Sequence, residues 1–114
     1  MPAQESIVFA VKDYRGNRVV FTRQKLKQKK IDHPELNLFQ FISAVKKALQ
    51  EPEEVWPDYF DRKRRCYYGK YEDGVYTKVV VHMSYHSHEP SRVVSAYAVA
   101  YIKERKYKNL TRIA

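Results

Sequence analysis

The chain has 114 residues, 44% of them hydrophobic and 14% aromatic, and carries 22 Lys and Arg against 13 Asp and Glu, a net charge of +9. That length sets one domain whose single core buries roughly two-thirds of the chain's surface, and excludes a second core. No apolar run approaches the roughly 20 residues of a membrane span, the N-terminal MPAQESIVF lacks a basic segment followed by an apolar one, and the single Cys66 excludes an internal disulfide framework or a cysteine metal cluster; the expectation is a cytoplasmic protein with no membrane partner.

Ser6 to Val11 (SIVFAV) and Arg18 to Phe21 (RVVF) are runs of β-forming residues parted by Lys12 to Asn17, where Asp13, Gly16 and Asn17 favour a turn. They predict a hairpin. Thr22 is placed to cap a short basic helix, Arg23 to Lys30, in which only Leu26 is apolar, so its charges face outward. Pro34 suits the first position of a helical turn, with Asp32 or His33 as its cap, and Asn37 restarts the chain into the main helix. From Asn37 to Leu49 the residues Leu38, Phe41, Ile42, Val45, Ala48 and Leu49 recur at spacings of three and four, which winds them onto one stripe. The helix stops before Pro52, which cannot continue its hydrogen bonding.

Glu53 to Phe60 (EEVWPDYF) predicts a short strand or extended arm around Val55 and Trp56, broken at Pro57 and followed by the charged turn Asp61 to Arg65. Cys66 to Tyr71, Tyr76 to Tyr85 and Arg92 to Ile102, parted by Glu72-Asp73-Gly74 and by His86 to Ser91, predict three consecutive strands in an antiparallel meander. The fold class is therefore α+β, with helix packed on sheet. Lys103 to Ala114 is basic with little apolar content and predicts a tail or frayed helix, so the domain is drawn over 1–102 and the tail over 103–114.

Alternation assigns the faces. In the last strand Val94, Ala96, Ala98 and Ile102 fall on one side and Ser95, Tyr97, Val99 and Tyr101 on the other; in the strand before it Val79, Val81 and Met83 oppose Lys78, Val80, His82 and Ser84. The small apolar faces receive the helix. That leaves an open face bearing Lys78, His82, Ser95, Tyr97 and Tyr101, where chemistry is expected.

The excess charge clusters in Arg23 to Lys30, Arg62 to Arg65 and Lys103 to Arg112, and ten tyrosines accompany it. Cations hold phosphates while phenol rings stack on unpaired bases, a combination that suits single-stranded RNA; a solvated basic surface and tyrosine-filled strands are the plainer account. Three well-separated glycines make no phosphate-cradling loop, so no nucleotide cofactor is expected. His82, His86 and His88 with Glu89 lack the spacing of a helical ligand pair, and solvated loop histidines are expected there rather than a metal site.

Metal-free RNA cleavage needs a base for the 2′-hydroxyl proton, cations over the pentavalent phosphate and an acid for the leaving 5′-oxygen. His33 at a helix start, Arg64 and Arg65 leading into a strand, Lys78 and His82 on its neighbour, and Ser95 and Tyr97 on the last strand supply these types. Each also has a structural use: His33 as a helix cap, Arg64 and Arg65 as a solvated turn, Ser95 and Tyr97 as strand residues.

The order of short pieces carries a resemblance. Phe21-Thr22, His33-Pro34-Glu35-Leu36, a helix ending in Glu51 to Trp56 (EPEEVW), then CYYGKY, KVVVHM and VVSAYAVAYI resemble the phage-associated nuclease-fold domains grouped with barnase, EndoU, colicin D-type ribonucleases and RelE, the BECR fold, from about Val19 to Ile102. The resemblance implies one or two N-terminal helices packed on an antiparallel sheet of about four strands, and a metal-independent endoribonuclease of phage, toxin or mobile-element settings. His33 answers to the family's His-Pro histidine, Ser95 to a Ser or Thr of the last strand, and Tyr97 to the tyrosine two residues on. Relatives often place a further histidine about five residues before His-Pro; Gln28 stands there and can hydrogen-bond but not shuttle a proton.

The reading is thus an RNA-binding domain that cleaves through 2′-hydroxyl attack, with His33 as base or acid, Tyr68, Ser95 and Tyr97 as hydroxyl donors, and Arg64, Arg65, Lys78 and His82 on the phosphates. A neutralising antitoxin or immunity protein is the implied partner. A non-catalytic nucleic-acid-binding module on the same fold and a basic protein-interaction domain are the alternatives.

Overall fold

In the computed structural model, which describes residues 6–86 and 88–114, strands β1 (Ile7–Lys12) and β2 (Arg18–Thr22) form the N-terminal hairpin. Residues 1–5 of the expected domain and Ser87 of the expected turn lie outside the described residues. Asp13 makes the hairpin turn, its Oδ1 accepting the backbone N–H of Arg15 at 2.9 Å and of Asn17 at 2.8 Å. Gly16 sits within it at a φ of +89°, a conformation that only glycine adopts freely. Helix α1 (Arg23–Lys29) follows directly, capped by the Thr22 hydroxyl, which accepts from the Lys25 N–H.

Helix α2 (Phe39–Gln50) begins two residues later than the apolar spacing predicts, because Pro34–Asn37 forms a separate 3₁₀ turn. The Asn37 side chain closes that turn on the Pro34 carbonyl at 3.1 Å, and Leu38 becomes the exposed first cap of α2 rather than part of its stripe. The stripe that remains, Phe41, Val45, Ala48 and Leu49, is buried.

Four further strands, β3 (Glu54–Pro57), β4 (Arg64–Glu72), β5 (Val75–His82) and β6 (Ser91–Val99), complete the sheet. Its order is β1-β2-β6-β5-β4-β3, with β2 and β6 parallel and every other pair antiparallel. The antiparallel meander is present, but it is part of a six-stranded mixed sheet rather than one of about four strands. The hairpin adds to it by pairing Val19 with Ser91 and Val20 with Arg92. Such long-range lateral pairing leaves no periodic trace in either segment.

One face of the sheet packs on α2, through Phe9, Val19, Phe21, Val55, Tyr67, Val79, Val81, Val93 and Ala96. The helix passes close over Gly69, where a Cβ would stand 2.9 Å from the Cβ of Ala48. The other face gathers Trp56, Cys66, Tyr68 and Val80 under Ile102 and Leu110. Residues 103–114 pack on the sheet: Lys103–Lys106 forms a 3₁₀ turn over the second face, and along the edge of β3 the Val55 carbonyl accepts the Ile113 N–H at 2.8 Å while the Val55 N–H donates to the Ala114 carbonyl at 3.0 Å. Ile102 and Val94 belong to this second cluster and not, as simple alternation predicts, to the α2 face. A β-bulge opposite Val80 and Val81 breaks the period of two in β6, and the strand ends at Val99 before Ile102 is reached.

Candidate functional site

Beyond its short parallel pairing with β2, β6 has α1 and the Pro34–Asn37 turn against it. His33, Pro34 and Glu35 fasten that turn. The His33 ring stacks on Tyr97, with centroids 4.6 Å apart and planes 15° from parallel. The Glu35 carboxylate reaches the next residue along, its Oε2 accepting the backbone N–H of Ala98 at 2.9 Å. Glu35 thus satisfies an amide that a neighbouring strand would otherwise take, while Pro34 opens the helical turn that holds the other two in place. His33 is half-buried and makes no side-chain cap bond, so its ring nitrogens are not committed to the turn it precedes.

Strand register distributes the remaining side chains. Tyr68, Lys78 and Tyr97 are successive cross-strand partners and share one face, as do Cys66, Val80 and Ser95 in the next row and Arg64, His82 and Arg92 in the one beyond. Ser95 and Tyr97 are half-buried on this face. Lys78 is not open as the alternation implies: it is 3% exposed, and Tyr68 beside it 0%, beneath the C-terminal segment.

Glu104, from that segment, accepts from the Tyr68 hydroxyl and lies 3.5 Å from Lys78 Nζ. Burial, and then the Glu104 carboxylate it donates to, push the Tyr68 phenol far above its ordinary value. Burial works against the Lys78 ammonium, yet neighbouring Cys66, Tyr97 and Glu104 outweigh it and hold its pKa above the usual lysine value. Tyr68 is therefore a committed donor to Glu104 and Lys78 a paired internal cation, neither in reach of a substrate in this arrangement. Lys78 still bears on the site, since its Nζ lies 5.8 Å from the centroid of the Tyr97 ring. Cys66 is buried as well, and burial pushes its thiol up to about 12, which removes it as a nucleophile.

The row Arg64, His82 and Arg92 sets three basic side chains abreast at one end of the face. Arg64 Nε lies 3.5 Å from Asp61, and both His82 and Arg92 are exposed. Together with Lys25 and Gln28 of α1, His82 and Arg92 line a cleft of about 420 Å³ that runs beside Val93 and Val94 of β6. Gln28 accepts from Lys25 Nζ at 3.1 Å within it. Arg65 falls outside this set: its partner Val81 places it on the α2 face of the sheet, away from His82. Tyr101 is exposed, with Lys106 Nζ 4.8 Å from its ring centroid. Among the described residues, no three His, Cys, Asp or Glu side chains gather closely enough to hold a metal ion, and no helix is long and apolar enough to cross a membrane.

A family model described as phage-Barnase-EndoU-ColicinE5/D-RelE like nuclease 2 (PBECR2) matches residues 3–112, nearly the whole chain. The chain belongs to this nuclease family. The match extends past Ile102 and takes in most of the segment that covers the second face. No curated protein and no solved structure matches the chain.

Sequence reasoning gives Glu35, Lys25, Arg92 and Glu104 no individual role. The first three were legible as residue types in a helical turn, a basic helix and a strand start, but only their convergence on β6 gives them a place. Arg92 follows from the register of β5 and β6, which the bulge conceals. Glu104 had no local signal, being one acid in a basic stretch.

Proposed function

We propose that this chain binds single-stranded RNA and cleaves it without a metal ion, by attack of a 2′-hydroxyl on the adjacent phosphorus. His33 takes the proton from O2′ as the O2′–P bond forms, and the P–O5′ bond breaks as the hydroxyl of Tyr97 or Ser95 protonates the leaving O5′. The products are a 2′,3′-cyclic phosphate and a 5′-hydroxyl. Arg92, His82 and Lys25 hold backbone phosphates along the cleft, with Arg64 abreast of His82 at its side, and counter-ions are released on binding. Lys78, paired beneath, contributes its field through Tyr97 and not a direct phosphate contact. The observation that carries the reading is the His33–Tyr97 stack, fixed by Glu35 on the same strand whose other end lines the basic cleft.

The test is incubation of the protein with mixed single-stranded RNA in EDTA. Cleavage is expected, with cyclic phosphate ends, and His33→Ala slows it by about 10²- to 10⁴-fold. Equal cleavage by wild type and His33→Ala overturns the assignment. Gln28 favours a second reading, a binding module without catalysis, because it lines the cleft yet cannot carry a proton; binding that weakens steeply with salt, with no cleavage, selects that reading.

A further inference from the structure

Outside the cleft, the loop between β3 and β4 holds an aromatic group that the fold does not bury. Phe60 is 80% exposed and Tyr59 is 44% exposed. The Tyr59 ring stacks on Tyr107 of the C-terminal segment, with centroids 4.2 Å apart and planes 22° from parallel, and meets Phe60 edge-on at 4.9 Å. Leaving so much ring surface in water forgoes the burial that a core would give it.

The loop that presents these rings is rigidly built. Asp58 Oδ2 accepts the backbone N–H groups of Phe60 at 3.1 Å and Asp61 at 2.9 Å, while Asp61 accepts from the Lys63 N–H at 2.9 Å. The Lys63 carbonyl in turn receives the Met83 N–H at 2.7 Å, tying the loop to the end of β5. Both loop carboxylates are thereby occupied, Asp61 also by Arg64, and Arg62 and Lys63 of the same loop are exposed.

Lys63 connects the two regions. It lines a second cleft, of about 270 Å³, whose wall includes His82 and Arg92, the same two residues that line the cleft beside α1. Lys25, Arg92 and His82 are thereby joined to Lys63 through a cleft whose wall carries one acid, Glu89, and the rings stand three and four residues before Lys63 in the same loop.

Resting on the RNA reading above, we propose that Phe60 and Tyr59, backed by Tyr107, form a stacking platform for an unpaired base of the single-stranded RNA, outside the nucleotides at His33 and Tyr97. A flat π-surface takes any base and discriminates against duplex, whose bases are already stacked. The positive charge beside the rings supplies the phosphate contacts that an apolar protein partner would have no use for. The platform fixes the strand's path and gives length dependence: oligonucleotides too short to reach from the cleft to the rings bind more weakly.

Fluorescence anisotropy with a labelled mixed-sequence 12-mer RNA tests this. Phe60→Ala is expected to weaken single-strand binding on the order of 10-fold, Phe60→Tyr to keep it, and Phe60→Leu to behave as Phe60→Ala, with double-stranded RNA of equal length bound alike by all four proteins. Phe60 is exposed, so unchanged thermal unfolding curves separate a lost contact from a lost fold. Equal single-strand affinity of wild type and Phe60→Ala overturns the platform and leaves the cluster as a protein contact, and full retention by Phe60→Leu overturns stacking as its basis. Tight Phe60-dependent binding without cleavage keeps the platform and rejects the nuclease mechanism, whereas absence of any RNA binding by wild type rejects both.

Discussion

The two faces of the sheet are built from alternate residues of the same strands; both pack apolar groups, and the second adds a buried charged set. On the α2 face, Phe41, Val45, Ala48 and Leu49 meet Val79, Val81 and Ala96 in a contact of apolar groups, where shape and volume decide the fit. On the other face the C-terminal segment brings a carboxylate into the protein, and Glu104, Lys78 and Tyr68 satisfy one another while Arg105 pairs with Glu54 at the rim. The first face tolerates methyl-scale changes poorly. The second fails when one member of a charged set is removed. The lesson is that one half of the second face is closed by a polar lock, while the half bearing Ser95 and Tyr97 is only half-buried.

The largest expected effect breaks that lock. Glu104→Leu leaves the Lys78 ammonium and the Tyr68 hydroxyl buried without their partner, and costs about 3–5 kcal/mol in urea denaturation. The double variant Glu104→Leu, Lys78→Met recovers most of the loss, since it leaves no lone charge; failure to recover it shows that the segment is held by something other than the charged set.

The α2 face answers to a different probe. In Gly69→Ala the new methyl meets Ala48 Cβ at 2.9 Å and its Cα at 3.0 Å, which displaces the helix and costs about 1–3 kcal/mol. No loss in chemical denaturation breaks the claim that this contact is set by close packing.

The smallest effect is a pH dependence at the rim. The Arg105 guanidinium, hydrogen-bonded to Glu54, holds that carboxyl below the ordinary glutamate value against the opposing effect of burial. A lowered folded-state pKa stabilises at pH above the unfolded value and ceases to do so as pH falls through the folded one. Wild type is therefore expected to exceed Glu54→Gln in stability at pH 7, with the difference vanishing in acid. A difference independent of pH sinks the charge argument.

Much of this was legible in the residues. The hairpin, the basic helix, the main helix and the meander follow from turn chemistry, caps and apolar spacing, and His33-Pro34-Glu35 stands out as a motif at a helix start. The candidate site was half legible. His33, Ser95 and Tyr97 were singled out, and His33 and Tyr97 do meet. Alternation puts Lys78 on the face it occupies but does not show that this half of the face is covered, because a basic stretch such as 103–114 carries too few apolar residues to announce that it will pack. Arg65 differs from Arg64 in face, which only the strand register with Val81 decides.

The sequence by itself determined the local elements, the class of fold and the excess of cationic and aromatic side chains, since these depend on residues a few positions apart. Only the tertiary structure decided which face remains available, which cations stand abreast and that Glu35 holds His33 against Tyr97. Those features join residues from opposite ends of the chain, as in the 63-residue separation between Glu35 and Ala98. Such pairings are selected by the packing of the whole domain, and no local spacing encodes them.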